Sequence, residues 1–213
     1  GSQADEVVTK FCEAGWCDSV CDFPAGRCRV LVFEPHSDDA ALSVGATMWR
    51  HRNDMEFTLV TLGSRSNYTS YWFLKRDFFD VEQITALRQA EAVAFMRQLG
   101  GKSIALDLRE ATLRYNDTNW SLDFFQKHHD AVAAFANHSS TVAELELWKE
   151  AVKQVLRDTS ADEIWIPLGI GTHVDHELTR NACLSVLIEE KNLATNCIIK
   201  LFQDVPYDST FPD

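Results

Sequence analysis

Two short segments combine histidine and aspartate in a pattern that could hold a metal ion. The first, residues 35–39, reads Pro-His-Ser-Asp-Asp and directly follows an apolar run. His36 and Asp39 are three residues apart, so both can converge on one ion where a strand turns into a helix. Asp38 would then point towards a water molecule on that ion. An aspartate pair at a helix start is usually a cap, so this segment alone favours capping.

A second segment repeats this placement further along the chain. Residues 169–176 read Gly-Ile-Gly-Thr-His-Val-Asp-His, so a glycine-rich turn follows an apolar run and leads into two histidines. His173 and His176 fall at the start of a predicted helix, where a histidine pair alone is weak evidence for a metal. With the first segment, His176 completes a three-residue ligand set that leaves a fourth position for water. The two turns together indicate a metal-dependent hydrolase.

The hydrophobic pattern from Cys28 onward alternates short β-rich runs with longer helical ones, which predicts βαβ units around a parallel sheet. The predicted strands cover residues 29–34, 56–62, 103–108, 163–168 and 198–204. The predicted helices cover residues 39–52, 81–99, 122–136, 143–157 and 174–190. Asp80 is expected to cap the second helix and Gly100 to follow its end. We therefore expect an α/β fold, a three-layer Rossmann-like domain with a mostly parallel sheet and the metal site at the carboxyl ends of its strands.

The length and composition predict one domain. A chain of 213 residues with 46% hydrophobic residues can bury one core, so residues 1–213 are expected to fold together. Residues 1–2 read as an expression-tag remnant, and residues 3–28 as a cysteine-containing N-terminal extension packed on the domain. A net charge of −12 without a Lys/Arg cluster argues against nucleic acid as a partner. The apolar runs are far shorter than the roughly 20 residues of a membrane span, so none is expected.

The cysteines leave the cellular compartment open. They lack the paired Cys-x-x-Cys spacing of a structural zinc site, and their even number would suit disulfides. Four Asn-x-Ser/Thr sequons would suit glycosylation. These signals favour a secreted or lumenal location, with a cytoplasmic one as the alternative. The six cysteines are Cys12, Cys17, Cys21, Cys28, Cys183 and Cys197, and the sequons begin at Asn67, Asn116, Asn119 and Asn137.

Two predicted loops, residues 63–80 and 109–121, are longer than most connections. The first contains an aromatic cluster that could stack on a sugar ring beside the site, although such residues more often anchor a loop. Its members are Tyr68, Tyr71, Trp72 and Phe73.

These segments together resemble the hallmarks of the PIG-L/LmbE-like N-acetylglucosamine de-N-acetylases, which are a His-x-Asp-Asp segment after the first strand and a later His-x-x-His. Further similarity lies in residues 42–47, 88–91, 99–100 and 202–207. The chain departs from the family pattern with Ser37 in place of proline, Ala40 in place of glutamate and Gly45-Ala46 in place of Gly-Gly. None of these changes removes a metal ligand. They therefore bear on the identity of the substrate rather than on the type of reaction.

The resemblance implies a zinc-dependent N-deacetylase that removes an acetyl group from an N-acetyl amino sugar or glycoconjugate. It implies further that Asp38 is the general base, that His173 stabilises or protonates the reacting group, and that Arg88 contacts the substrate. Ferrous iron would also suit the ligands. Asp175 is expected to orient a histidine from behind. The implied metal ligands are His36, Asp39 and His176.

Two alternatives stay open at this stage. One is an amidase that acts on a non-sugar amide or a thiol conjugate. The other is a non-catalytic carbohydrate-binding relative, against which the presence of both Asp38 and His173 argues. The sequence leaves the glycan context and the oligomeric state open.

Overall fold

The computed structural model describes residues 26–67, 80–114, 140–170 and 173–205. In these ranges five strands form one sheet in the order β3-β2-β1-β4-β5, and every pairing is parallel. The strands are β1 (Cys28–Glu34), β2 (Met55–Thr61), β3 (Lys102–Ala105), β4 (Glu163–Pro167) and β5 (Ile198–Phe202). All five predicted strands are thus confirmed.

Two strands end earlier than predicted, each for a local reason. The β3 strand stops at Ala105, and Asp107 takes a left-handed φ of 58°, which an extended strand cannot contain. The β5 strand stops at Phe202, and Asp204 turns its carboxylate towards the backbone N–H groups of Gly169 and Ile170. The chain therefore leaves the sheet sooner at both edges.

The helices of the described ranges lie on both faces of the sheet. They are α1 (Asp39–Ser43), α2 (Gly45–His51), α3 (Val81–Gln98), α4 (Ala111–Arg114), α5 (Val142–Asp158) and α6 (Val174–Glu189), with a 3-10 turn at Lys191–Ala194. The single helix predicted for residues 39–52 is wrong, because Val44 has φ −120° and ψ 3° and separates α1 from α2. The helix predicted for residues 122–136 lies outside the described residues.

Alternating side chains of β1 supply two separate cores. Leu31 and Phe33 pack with residues of α5 and α6, whereas Val30 and Val32 pack with α2 and α3 on the opposite face. The predicted three layers are thus confirmed. The caps predicted for α3 are confirmed as well: Asp80 accepts a hydrogen bond from the Glu82 N–H, and Gly100 has the positive φ of 66° that suits glycine.

The strand order creates a switch point between β1 and β4. From β1 the chain moves outward through β2 and β3, then returns to the other side of β1 for β4 and β5. The loops after β1 and β4 therefore leave in opposite directions and open a crevice at the carboxyl edge of the sheet, where open α/β folds bind ligands. Both histidine segments follow these two strands.

Candidate metal centre

The two histidine-containing turns face each other across the switch point. His36 lies in the turn between β1 and α1, and His173 is the N-cap of α6, one turn before His176. The ring centroid of His36 is 5.0 Å from that of His173 and 5.3 Å from that of His176. All three rings are buried. The fold thus brings the predicted histidines together.

One group of donor atoms has the spacing of a metal site. Nδ1 of His36 lies 3.1 Å from Oδ2 of Asp39, and Nε2 of His176 lies 3.4 Å from the same oxygen. The ligand atoms of this group lie within 4.8 Å of one another. Tetrahedral zinc with bonds of about 2.0–2.1 Å places its ligand atoms about 3.3–3.4 Å apart. The residues present therefore fit a zinc-sized ion.

A second group of donors, His36, His173 and Asp175, also lies within 4.8 Å. The carboxylate of Asp175 is already engaged, however. Its Oδ2 accepts the Ala111 N–H at 2.8 Å and lies 2.9 Å from Nε2 of His36, while its Oδ1 forms a 2.7 Å ion pair with Arg114. With these contacts, Asp175 is better placed to orient the His36 ring through its Nε2 than to bind a metal ion itself.

His176 has a carboxylate partner of its own. Its Nδ1 lies 2.7 Å from Oδ1 of Asp204, whose Oδ2 accepts the N–H groups of Gly169 at 2.7 Å and Ile170 at 3.2 Å. A carboxylate on the second ring nitrogen is the usual arrangement of metal-binding histidines, and it holds the ring in place. Sequence reasoning did not single out Asp204, although it noticed the surrounding residues 202–207.

The charged groups of the centre shift one another's pKa values. Burial opposes a charge on Asp39, but His176 and His36 hold the pKa of its carboxyl well below the ordinary value. Burial would likewise lower the pKa of His36, but its contacts with Asp175 and Asp39 raise it well above the ordinary value. The ring of His36 is therefore surrounded by carboxylates, an environment that attracts a cation.

His173 differs from the other two histidines. Burial, assisted by the neighbouring His36, lowers the pKa of His173 to about 3, so its imidazole is neutral. Its Nδ1 accepts a hydrogen bond from the Asp175 N–H at 3.2 Å, which leaves the proton of the neutral ring on Nε2. His173 can therefore donate a hydrogen bond without carrying a positive charge.

Asp38 stands at the open edge of the centre. Its side chain is 54% exposed, and its Oδ1 accepts a 3.0 Å hydrogen bond from Nη2 of Arg88. Within the described residues Asp38 forms no side-chain cap on α1, so its carboxylate is not used for capping. Arg88 is buried and lies 3.9 Å from Oε1 of Glu110. Burial opposes its charge, but Glu110 and Asp38 keep the pKa of Arg88 above the ordinary value.

Sequence reasoning also missed Glu34, a buried acid at the end of β1. Its Oε2 accepts the Ala40 N–H at 2.9 Å, and its Oε1 accepts the Thr61 hydroxyl at 2.6 Å. Burial raises the pKa of Glu34 to about 8. The available signal was a glutamate closing an otherwise apolar strand. Glu34 thus stabilises the start of α1 through the backbone of Ala40, the position at which the family pattern has a glutamate.

The remaining sequence predictions concern the aromatic loop, the cysteines and membrane spans. The aromatic cluster of residues 68–73 lies outside the described residues. Cys28, Cys183 and Cys197 are buried free thiols. Across the ranges that the structure describes, every helix is too short or too polar to span a bilayer.

The comparison with known proteins agrees with this architecture. A family profile described as PIG-L: GlcNAc-PI de-N-acetylase matches residues 31–187, which is most of the chain. The chain therefore belongs to this family.

Individual relatives are more distant. The 2'-N-acetylparomamine deacetylase of Streptomyces fradiae is 29% identical over 157 residues, 73% of this chain and 51% of the relative. The chain thus spans about half of the length of this curated relative.

Two solved structures share the fold. A deacetylase–teicoplanin complex superposes with a TM-score of 0.65 at 23% identity, over 86% of this chain and 73% of the other. The zinc-inhibited form of a teicoplanin deacetylase gives a TM-score of 0.58 at 20% identity, over 85% of this chain and 70% of the other. The predicted α/β fold class is confirmed by these likenesses.

Proposed function

We propose that this chain is a metal-dependent hydrolase that removes the acetyl group from an N-acetyl amino sugar or glycoconjugate. The observation that carries the proposal is the buried donor set of His36, Asp39 and His176, each histidine backed by a carboxylate, with Asp38 beside it at the open edge. Family membership supports the reaction type, and the name of the paromamine relative supports an amino-sugar substrate.

The proposed metal is zinc, held by His36, Asp39 and His176. A zinc ion in such a site lowers the pKa of a bound water to about 7 and so supplies a nucleophile at neutral pH. Ferrous iron is the alternative, because the same nitrogen and oxygen donors suit both ions. One relative has been crystallised in a zinc-inhibited form, so metal content and metal preference need separate measurements.

The proton transfers are assigned to two residues of this chain. Asp38 accepts the proton of the attacking water, and its hydrogen bond to Arg88 fixes the direction of the carboxylate. Neutral His173 donates its Nε2 proton in a hydrogen bond to the amide carbonyl oxygen, which becomes an oxyanion when water attacks the carbon. The proton on Asp38 then passes to the departing amine, which leaves acetate and a free amino sugar.

We propose a more specific role for Arg88 than the sequence alone suggests. Its guanidinium contacts Asp38, so we propose that Arg88 orients the general base in addition to any contact with substrate.

The sequons continue to support a secreted or lumenal location, which glycosidase treatment followed by mass measurement of the native protein would test.

The decisive experiment compares metal content and turnover in three variants. Asp38→Ala should keep its metal and lose about 10²–10⁴-fold in turnover, because proton transfer is removed while the ligands stay. His36→Ala should lose the metal itself. Asp54→Ala, an exposed aspartate of the turn before β2, is the matched control and should behave as wild type. Full activity of Asp38→Ala would refute the assignment of the base.

The substrate class is tested by acetate release. N-acetylglucosamine derivatives should yield acetate and free amine in equal amounts. Release only from non-sugar amides would instead identify an amidase. Binding of sugar and metal without any acetate would identify a non-catalytic relative.

A further inference from the structure

Arg114 is a cation of low exposure that lies one side chain away from the candidate metal centre. Its side chain is 10% exposed, and its Nη1 lies 2.7 Å from Oδ1 of Asp175. The same Nη1 donates a 2.7 Å hydrogen bond to the carbonyl oxygen of Arg109. Its Nε donates at 2.7 Å to Oε1 of Glu144. The guanidinium is thus held from three sides.

Through Asp175, Arg114 is connected to His36, one of the proposed metal ligands. Arg114 pairs with one oxygen of Asp175, and the Ala111 N–H binds the other at 2.8 Å. These two contacts fix the carboxylate plane so that Oδ2 faces Nε2 of His36 at 2.9 Å. The opposite nitrogen of His36 then faces Asp39 at 3.1 Å. The orientation of the His36 ring therefore depends on how Asp175 is held.

The other side of Arg114 is anchored to α5. Glu144 uses its second oxygen, Oε2, to accept the N–H and the hydroxyl of Thr141 at 2.7 and 2.8 Å. This capping box fixes the start of α5, so hydrogen bonds also hold the partner of Arg114 in place. The Arg114 guanidinium also lies 5.5 Å from the ring centroid of the buried Trp148. A long side chain is thereby kept in one position.

We propose that Arg114 is a positioning residue for the metal, because it holds Asp175 in the orientation that directs His36 towards Asp39 and His176. The inference rests on the proposed function, since it concerns the metal of that same site. It also explains why Asp175 acts as a support for His36 rather than as a ligand in the second donor group. An ion pair that served only to join α4 to α5 would stabilise the fold and leave metal binding unchanged.

The test is the affinity of metal-free protein for Zn²⁺, measured by competition with a chromophoric chelator. Arg114→Met should bind Zn²⁺ about tenfold more weakly, at the lower end of the 10–100-fold range for residues behind a ligand. Arg114→Lys should lose less, because an ammonium can still reach one carboxylate. Arg109→Met is the matched control, since this exposed arginine of the same segment contributes only its backbone carbonyl, and it should bind as wild type.

The outcomes separate this inference from the proposed function. If wild type binds no Zn²⁺ or Fe²⁺, the metal site itself is refuted. If wild type binds and Arg114→Met binds equally well, the positioning role is refuted, even where urea unfolding shows a loss of stability. Should Arg114→Met fail to fold, Arg114→Gln, which also lacks the positive charge, decides, and wild-type affinity in that variant overturns the proposal. The visible spectrum of the Co²⁺-loaded proteins provides a second readout, which should change in Arg114→Met and not in Arg109→Met.

Discussion

Glu34 and Asp175 are two carboxyl groups beside the same candidate centre, both fully buried, and their pKa values shift in opposite directions. For Glu34, burial is the main cause and raises the pKa to about 8, although hydrogen bonds from Thr61 and Ala40 oppose it. Burial acts on Asp175 in the same sense, but His36 and Arg114 outweigh it and lower the pKa well below the ordinary value.

The difference shows that neighbouring cations, rather than burial, decide the charge of an acid at this edge of the sheet. Glu34 contacts a hydroxyl and a backbone N–H, which bind a neutral carboxyl adequately. Asp175 contacts a guanidinium and an imidazole, which require a negative charge. Glu34 therefore stabilises the backbone at the start of α1, whereas Asp175 neutralises the positive charges of Arg114 and His36.

The strongest test of this contrast is Asp175→Ala. The change leaves the Arg114 guanidinium and the His36 ring buried without their shared partner, which should lower the free energy of unfolding by about 3–5 kcal/mol at neutral pH. Urea unfolding of the metal-free protein measures the loss. Asp162→Ala, which removes a carboxylate from the partly exposed pair with Arg29, is the control and should cost about 1 kcal/mol or less. Equal losses in both variants would contradict the contrast.

The second test uses Glu34→Gln and pH. Because the folded-state pKa of Glu34 lies above its unfolded value, its stabilising contribution is complete below about pH 4.5 and is lost as the pH rises to about 8. Glutamine does not titrate. The variant should therefore gain about 3 kcal/mol relative to wild type between pH 5 and pH 8. Urea unfolding of both metal-free proteins at several pH values gives the difference, and a constant difference would show that Glu34 is charged throughout.

The smallest effect is expected from Thr61→Val, which removes the hydroxyl that donates to Glu34. The lost hydrogen bond should cost about 1 kcal/mol at pH 5. The loss should be larger at pH 8, where the carboxyl begins to ionise and needs the donor more. Thermal unfolding at the two pH values checks this, and identical losses at both would mean that the hydroxyl does not respond to the charge of Glu34.

Much of this architecture could be predicted from local sequence. The strands follow from apolar runs that are covered on both faces, and the two turns follow from residue types at fixed spacing after those runs. The break at Val44 was missed, because the low helix propensity of Gly45 directly after it does not by itself end a helix.

Two supporting residues of the centre, Asp204 and Arg114, escaped prediction for a different reason. Asp204 is 28 positions from His176, and Arg114 is 30 positions from Glu144, so no spacing rule connects them. Their roles arise only when the sheet order brings separate loops to one edge. Arg88 shows the same limit: its type and position were noticed, but its contact with Asp38 across 50 positions was not.

The sheet order also determines when the centre can form. His36 and Asp175 are 139 positions apart, and they meet only after β4 pairs with β1. This pairing is non-local, so the chain loses conformational entropy before the contacts between the two strands can stabilise it. At ribosomal rates of about 5–20 residues per second, the two turns are synthesised roughly 7–30 s apart. During that interval the first turn has no partner with which to capture an ion. For the metal centre proposed above, uptake would therefore come late in biogenesis, and a tightly bound ion would stabilise only chains that have already completed their sheet.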